Sequence, residues 1–64
     1  MIDQIIAYEQ GSLDAHQTLE LFGSLIQSGQ VWSLQGHYGR TAQALIEGGW
    51  IDPQGNVLRD PEEA

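Results

Sequence analysis

The sequence contains no cysteine and no lysine, and these two absences exclude several classes of protein. Without cysteine the chain can form no disulfide, no thiolate nucleophile and no cysteine-ligated zinc site. Its only arginines are Arg40 and Arg59, against nine carboxylates, so the net charge is −7. Nucleic-acid binding draws on many Lys and Arg contacts to phosphates, so this charge argues against a nucleic-acid partner. It also disfavours an anionic membrane surface and favours a protein partner with a basic surface.

Long apolar runs are missing as well. No stretch approaches the roughly 18 residues that a membrane span needs. Met1 is followed by Ile2 and Asp3 rather than by the basic segment of a secretory signal. We therefore expect a cytoplasmic protein without a membrane partner. With 64 residues, the chain is long enough for one small domain and too short for a deep catalytic cleft.

Hydrophobic spacing predicts a mainly α fold, a small bundle of three to four short helices. The first helix covers residues 2–9. The second covers about residues 13–28, with Ser12 as its N-cap and Gly29 as the left-handed residue after its end. Residues 31–36 are predicted to form one or two helical turns that end at a glycine.

The last helix is predicted over about residues 37–47. A single kinked helix over residues 31–47 is the alternative that we favour less. Farther on, Asp-Pro-x-Gly at residues 52–55 is typical of a type I turn and predicts a C-terminal turn or small β-hairpin packed on the helices. We expect one domain over residues 1–58, followed by a frayed acidic tail at residues 59–64.

The apolar stripes predict one small core. Its eleven members are Ile2, Ile5, Ile6, Leu19, Phe22, Ile26, Val31, Leu34, Ala42, Leu45 and Ile46. Six further apolar or aromatic residues exceed what so small a bundle can hide, namely Tyr8, Leu13, Leu21, Leu25, Trp32 and Trp50. Some of them should therefore form an exposed patch, and such patches mark interfaces.

No constellation in the sequence predicts catalysis or a bound cofactor. Ser12, Asp14 and His16 lie close together, but capping explains the first two without any chemistry. His16 and Glu20 at i, i+4 supply only half of a metal site. Paired carboxylates at residues 62–63 belong to a solvated terminus. We therefore expect no catalytic residues, no metal, no cofactor and no enzymatic activity.

Arg40 admits two interpretations. As a structural residue it would form a fork-type ion pair with Asp3, Glu9 or Glu20. As a functional residue it would belong to a protein-contact surface, because Trp, Tyr and Arg are the types that most often anchor interfaces. The candidates for that surface are Trp32, Gln35, His37, Tyr38 and Arg40. For Tyr38 alone, and for Trp50, core packing is favoured over contact, whereas for Trp32 the two interpretations stand even.

The pattern Trp32-x-Leu-Gln-Gly-x-Tyr-Gly-Arg40-x-Ala42 resembles a group of small proteins encoded by tailed bacteriophages. The upstream pattern Ile6-x-Tyr-Glu-x-Gly-x-Leu13 resembles it too, and the likeness covers about residues 5–51. The group carries no assigned activity, so the resemblance implies a phage source and the host bacterial cytoplasm, and it carries over no functional residue.

Three functions follow as hypotheses. The first is a non-enzymatic module that binds a host or phage protein, in the manner of a host-takeover factor or an inhibitor. The second is a structural, assembly or self-associating role, such as a homodimer or a virion component. The third is a winged-helix-like nucleic-acid regulator, which the charge disfavours because its recognition helix would bring only Arg40 to the groove.

Overall fold

The computed structural model of the protein describes residues 2–61. Three α-helices follow one another as α1 (Ile2–Glu9), α2 (Ala15–Ser28) and α3 (Gly36–Glu47), and a short 3-10 helix, Gln30–Trp32, joins α2 to α3. The mainly α prediction is confirmed. The break at the 3-10 helix also confirms separate helical segments rather than one long helix. None of the helices in this described part of the chain is long and apolar enough to cross a membrane.

The start of α2 differs from the prediction because its N-cap is Asp14 rather than Ser12. The Asp14 carboxylate accepts a hydrogen bond from the Gln17 backbone N–H at 2.7 Å, and the Gln17 side chain accepts one from the Asp14 backbone N–H at 3.1 Å. This reciprocal capping box satisfies two donors at once. The Ser12 backbone N–H instead donates to the Ala7 carbonyl at 2.8 Å, which closes the end of α1.

Beyond α3 the chain folds back as a compact turn, as predicted. The Gly55 N–H donates to the Asp52 carbonyl at 3.0 Å, and the Asp52 carboxylate accepts bonds from the backbone N–H groups of Gln54 and Asn56, each at 2.9 Å. An antiparallel bridge between Ile51 and Val57 is the only β pairing among the described residues. The arm is therefore a turn with one bridge rather than a hairpin of two strands.

The core is centred on α2. Its buried members are Leu19, Leu21, Phe22, Leu25, Ile26, Val31, Tyr38, Ala42 and Ile51. Leu21 and Leu25, predicted to be surplus, are fully buried, because α2 is packed against α1, the 3-10 helix and the C-terminal turn. The predicted core position Ile6 is wrong, since its side chain is 48% exposed.

The remaining predicted core residues occupy the edge of this cluster. Ile5, Leu34, Leu45 and Ile46 are partly buried and pack against it, and so do the surplus residues Tyr8, Leu13 and Trp50. The side chain of Ile2 lies outside the described part of the structure. The sequence therefore identified most of the apolar side chains that pack, and it ranked their depth incorrectly.

The C-terminal turn contacts α2 through two glycines. A Cβ atom placed on Gly23 would lie 2.7 Å from the Gly55 carbonyl oxygen, so nothing larger than hydrogen fits there. Gly55 also has a left-handed backbone, with φ +97°. Its carbonyl accepts a hydrogen bond of 3.4 Å from the Gln27 side chain. Close backbone approach therefore fixes this turn against the middle of α2.

Residues 59–61 are the part of the predicted acidic tail that the structure describes. The Arg59 guanidinium carbon lies 4.4 Å from the centroid of the Trp50 ring, a cation–π contact. Asp60 and Pro61 are both partly buried. The frayed tail over residues 59–64 stays a prediction, and residues 62–64 lie outside the described part of the chain.

Candidate functional site

Four of the five predicted contact residues lie together where the 3-10 helix meets α3. Trp32 ends the 3-10 helix, Gln35 is the N-cap residue of α3, and His37 and Arg40 lie in the first turns of α3. All four side chains are exposed, and Trp32 is 54% exposed. We call these four residues the Trp32 face.

The indole of Trp32 rests against α3 at Gly39. A Cβ atom at Gly39 would lie 3.7 Å from Cε3 of Trp32, which is ordinary van der Waals contact. One part of the ring is thus supported by the helix while more than half of the residue's surface stays open to solvent. An aromatic side chain held in this way presents a large apolar area with little freedom left to lose on binding.

Tyr38, the fifth predicted contact residue, lies in the core with 3% of its surface exposed, so it does not belong to this face. Its ring stacks on Phe22 with centroids 6.0 Å apart and tilts toward Tyr8 at 5.7 Å. Its hydroxyl donates a 2.7 Å hydrogen bond to the Glu9 carboxylate. Burial, together with that bond and the charge of Glu9, raises the pKa of Tyr38 to about 12. Core packing, the interpretation favoured for Tyr38, is therefore confirmed.

Tyr38 nevertheless contacts a member of the Trp32 face. The centroid of its ring lies 4.2 Å from the centroid of the His37 ring. The buried tyrosine fixes α3 against α1 through Glu9, and its neighbour His37 is carried on the outer side of the same turn. The position of the face therefore depends on the core behind it.

The predicted ion pair of Arg40 does not form with any carboxylate of the described residues. Glu9 is occupied by the Tyr38 hydroxyl, and Glu20 lies 3.4 Å from the His16 ring nitrogen on the exposed side of α2. The guanidinium instead bends back along α3, where its Nη1 atom would be 3.1 Å from a Cβ placed on Gly36. Arg40 is thus an exposed cation whose donors are free of carboxylates in the described part of the chain.

The groups considered for chemistry do not converge. The Asp14 carboxylate caps α2 and faces Gln17 rather than His16. Within residues 2–61, no group of three or more His, Cys, Asp or Glu side chains is arranged to hold a metal ion. The expectation that the protein is not an enzyme stays a prediction.

One feature that the sequence did not indicate is a shallow groove of about 380 Å³ on the side of the domain where the chain returns. Its lining comes from four separate segments and consists of Leu13, Asp14, Ala15, Thr18, Leu19, Leu45, Trp50 and Pro61. Leu13 and Trp50 were the available signal, since both were surplus to the predicted core. Their convergence depends on the fold of the C-terminal arm, which local periodicity does not encode.

Three short helices around one core, closed by a C-terminal turn, define a small, mainly α domain. The chain belongs to the family described as a domain of unknown function, DUF7417, whose model matches residues 1–64. Comparison with curated proteins gave no match, and comparison with solved structures gave none either. Membership of this family covers the whole chain and implies no activity.

Proposed function

We propose that this protein is a non-enzymatic binding module of tailed bacteriophages that acts on a host or phage protein in the host bacterial cytoplasm. The observation that carries the proposal is the exposed indole of Trp32, which rests on α3 at Gly39. The same helix carries Arg40, an exposed arginine without a carboxylate partner among the described residues. The phage setting is supported by the sequence resemblance over about residues 5–51.

The residue types of the Trp32 face support a contact role. Trp and Arg are enriched among the few residues that dominate binding energy in interfaces. In a protein of net charge −7 the ordinary structural role of an arginine is an ion pair, and Arg40 forms none with a described carboxylate. Contact with a partner would account for the exposure of both Trp32 and Arg40.

The strong negative charge of the domain supports a protein partner that has a basic surface. Surface charge of one sign raises the rate at which oppositely charged proteins meet, by steering them before contact. Because such steering is screened at high ionic strength, association should slow as salt is added. A small acidic domain of this kind suits a host-takeover or inhibitor role.

Affinity capture tests the proposal. The tagged protein, a Trp32→Ala variant, an Arg40→Ala variant and a Ser24→Ala control on the exposed side of α2 are each incubated with bacterial lysate. We expect one host protein at a fixed ratio with the natural chain and the control. The captured protein is then purified, and its affinity is measured by calorimetry.

Loss of Trp32 should weaken that affinity by about ten-fold or more, the range of an interface anchor. Circular dichroism must show that each variant keeps its helices. Capture that is equal for all four proteins would contradict the role of the Trp32 face. Capture of no partner, from host lysate and from phage-infected cells alike, would contradict the binding module itself.

Self-association is the second candidate, and a separate set of residues favours it. Ile6, Val57 and Leu58 are 48%, 42% and 56% exposed, respectively. Apolar side chains left at the surface of so small a domain suit contact between copies or within a virion. Light scattering of the purified protein should then give a discrete oligomer, and Leu58→Ser should convert it to monomer. A monomer at all concentrations would exclude this role.

A further inference from the structure

One long segment of the chain contains no acidic residue. All nine carboxylates belong to residues 3–20 and 47–63, and residues 21–46 carry none. The Trp32 face lies wholly within this acid-free segment. Its charged member is Arg40, and its polar members Gln35 and His37 bring no negative charge. The face therefore contributes one cation and no acidic residue.

The first turn of α3 carries no acidic side chain, and Arg40 makes no ion pair with any described carboxylate. Glu9, the acidic residue tied to α3, gives its carboxylate to the buried hydroxyl of Tyr38. The guanidinium lies over Gly36 and the indole of Trp32 lies over Gly39, three residues along the same helix, and no described carboxylate binds the guanidinium.

We infer, on the basis of the proposed function, that the Trp32 face receives an acidic segment of the protein partner. That segment carries a carboxylate beside an apolar or aromatic side chain. The carboxylate binds the guanidinium of Arg40, a geometry that allows two parallel hydrogen bonds, and the apolar side chain covers the indole of Trp32.

Charge complementarity selects this occupant over a basic one. A lysine or arginine placed here would face Arg40, and like charges across an interface are strongly disfavoured. Repulsion between an acidic segment and the exposed carboxylates of the domain is weakened by salt, which screens exposed charges over about 8 Å at physiological ionic strength. The partner would then present a basic surface to the acidic remainder of the domain and an acidic segment to this face.

Two matched peptides test the inference by heteronuclear NMR on the whole protein. One is the capped pentapeptide Leu-Glu-Phe-Glu-Leu, and the other has lysine in place of both glutamates. We expect the glutamate peptide to shift the indole N–H signal of Trp32 and the guanidinium signal of Arg40 in a saturable way. The lysine peptide should shift signals of the acid-bearing segments at 3–20 and 47–60 instead.

Charge reversal provides the decisive control, since Arg40→Glu and Arg59→Glu change the net charge by the same amount. Arg40→Glu should weaken the glutamate peptide at least ten-fold and admit the lysine peptide at the indole. Arg59→Glu should leave the preference at Trp32 unchanged, although it removes the cation from Trp50.

The inference is overturned if the lysine peptide occupies the Trp32 face of the natural protein, if neither peptide shifts its signals, or if both arginine variants behave alike. Each of these results leaves the proposed function to be decided by its own capture experiment. Conversely, capture of no partner would contradict the proposed function even if the glutamate peptide binds at Trp32.

Discussion

Gly23 and Gly55 bring two distant parts of the backbone into direct contact. A Cβ on Gly55 would lie 2.5 Å from the carbonyl oxygen of Gly23, and a Cβ on Gly23 would lie 2.7 Å from the carbonyl oxygen of Gly55. Neither oxygen can move easily, because each belongs to main chain rather than to a flexible side chain. The middle of α2 thus receives the C-terminal turn only while both residues lack side chains.

This contact predicts opposite effects for two glycine substitutions inside helices. Gly39→Ala meets only ordinary contact with Trp32 at 3.7 Å, so it should raise the free energy of unfolding by about 0.5–1 kcal/mol through helix propensity. Gly23→Ala gains the same propensity but collides with backbone, so it should lower that free energy by about 1–3 kcal/mol. Urea unfolding followed by circular dichroism measures both.

The two variants serve as each other's control, since the amino-acid change and the helical setting are the same. Equal and positive effects would show that the turn moves away from α2 without cost. In that case the close approach of the two glycines would contribute nothing to stability.

The hydrogen bond between Tyr38 and Glu9 predicts a loss of stability at alkaline pH. The pKa of Tyr38 is raised from 10.0 to about 12 in the folded protein by burial and by Glu9. Between these two values the unfolded chain releases a proton that the folded chain keeps. The free energy of unfolding should therefore fall as the pH rises through this window and stay unaffected by this group below it.

Absorbance titration and urea unfolding at about pH 9 and pH 11 check this expectation, with tyrosine ionisation near pH 10 as the reference. Glu9→Gln retains an acceptor but removes the charge, so the pKa of Tyr38 should fall. Tyr38→Phe removes the hydroxyl proton, so the free energy of unfolding should fall less at alkaline pH in this variant. An unchanged pH dependence in both variants would mean that this bond does not hold α1 to α3.

The N-cap of α2 gives a third prediction. Asp14→Ala removes a side chain that accepts from the Gln17 backbone at 2.7 Å. It should cost about 1 kcal/mol, equivalent to roughly 4–8 °C in the melting temperature of a domain of this size. Ser12→Ala is the matched control, and it should change stability by less than about 0.5 kcal/mol. A larger loss of stability for Ser12→Ala than for Asp14→Ala would indicate that Ser12 is the N-cap.

Asp52 gives a fourth prediction, at acid pH. A hydrogen bond from the Asn56 side chain, together with backbone N–H bonds within the turn, holds the pKa of Asp52 below its usual 3.8. A depressed pKa stabilises the folded state at pH values above the unfolded pKa, and that stability is lost as the pH falls through the folded one. Asn56→Ala should raise the pKa of Asp52, as followed by carbon-detected NMR of its carboxyl group. An unchanged pKa would show that the backbone bonds alone set it.

Local features were the part of the fold that the sequence could predict. Helix faces follow from spacing, and the left-handed glycine after α2 was expected at Gly29, where φ is +78°. Even the cap was visible in principle, because Gln17 stands three residues after Asp14 and completes a capping box. Capping propensity alone favours Ser12, whereas the partner at position 17 favours Asp14.

Burial depth depended on long-range contacts and was harder to infer. Leu21 and Leu25 form a second stripe on α2, and both are fully buried, which the spacing within one helix does not indicate. Likewise Glu9, one of the three carboxylates predicted as ion-pair partners of Arg40, accepts a hydrogen bond from the Tyr38 hydroxyl, since a phenol in the core needs an acceptor. Of the candidate site, the exposed Trp32 and its neighbours on α3 were identified, whereas the groove beside Trp50 was not.

The two tryptophans lie in different surroundings, and this gives the molecule two natural fluorophores. Trp32 is open to water and to collisional quenchers, whereas Trp50 is partly buried beneath the guanidinium of Arg59. The fluorescence of Trp32 reports binding at the Trp32 face. The fluorescence of Trp50 reports whether the domain is folded. An unlabelled sample can therefore distinguish docking from unfolding in a single spectrum.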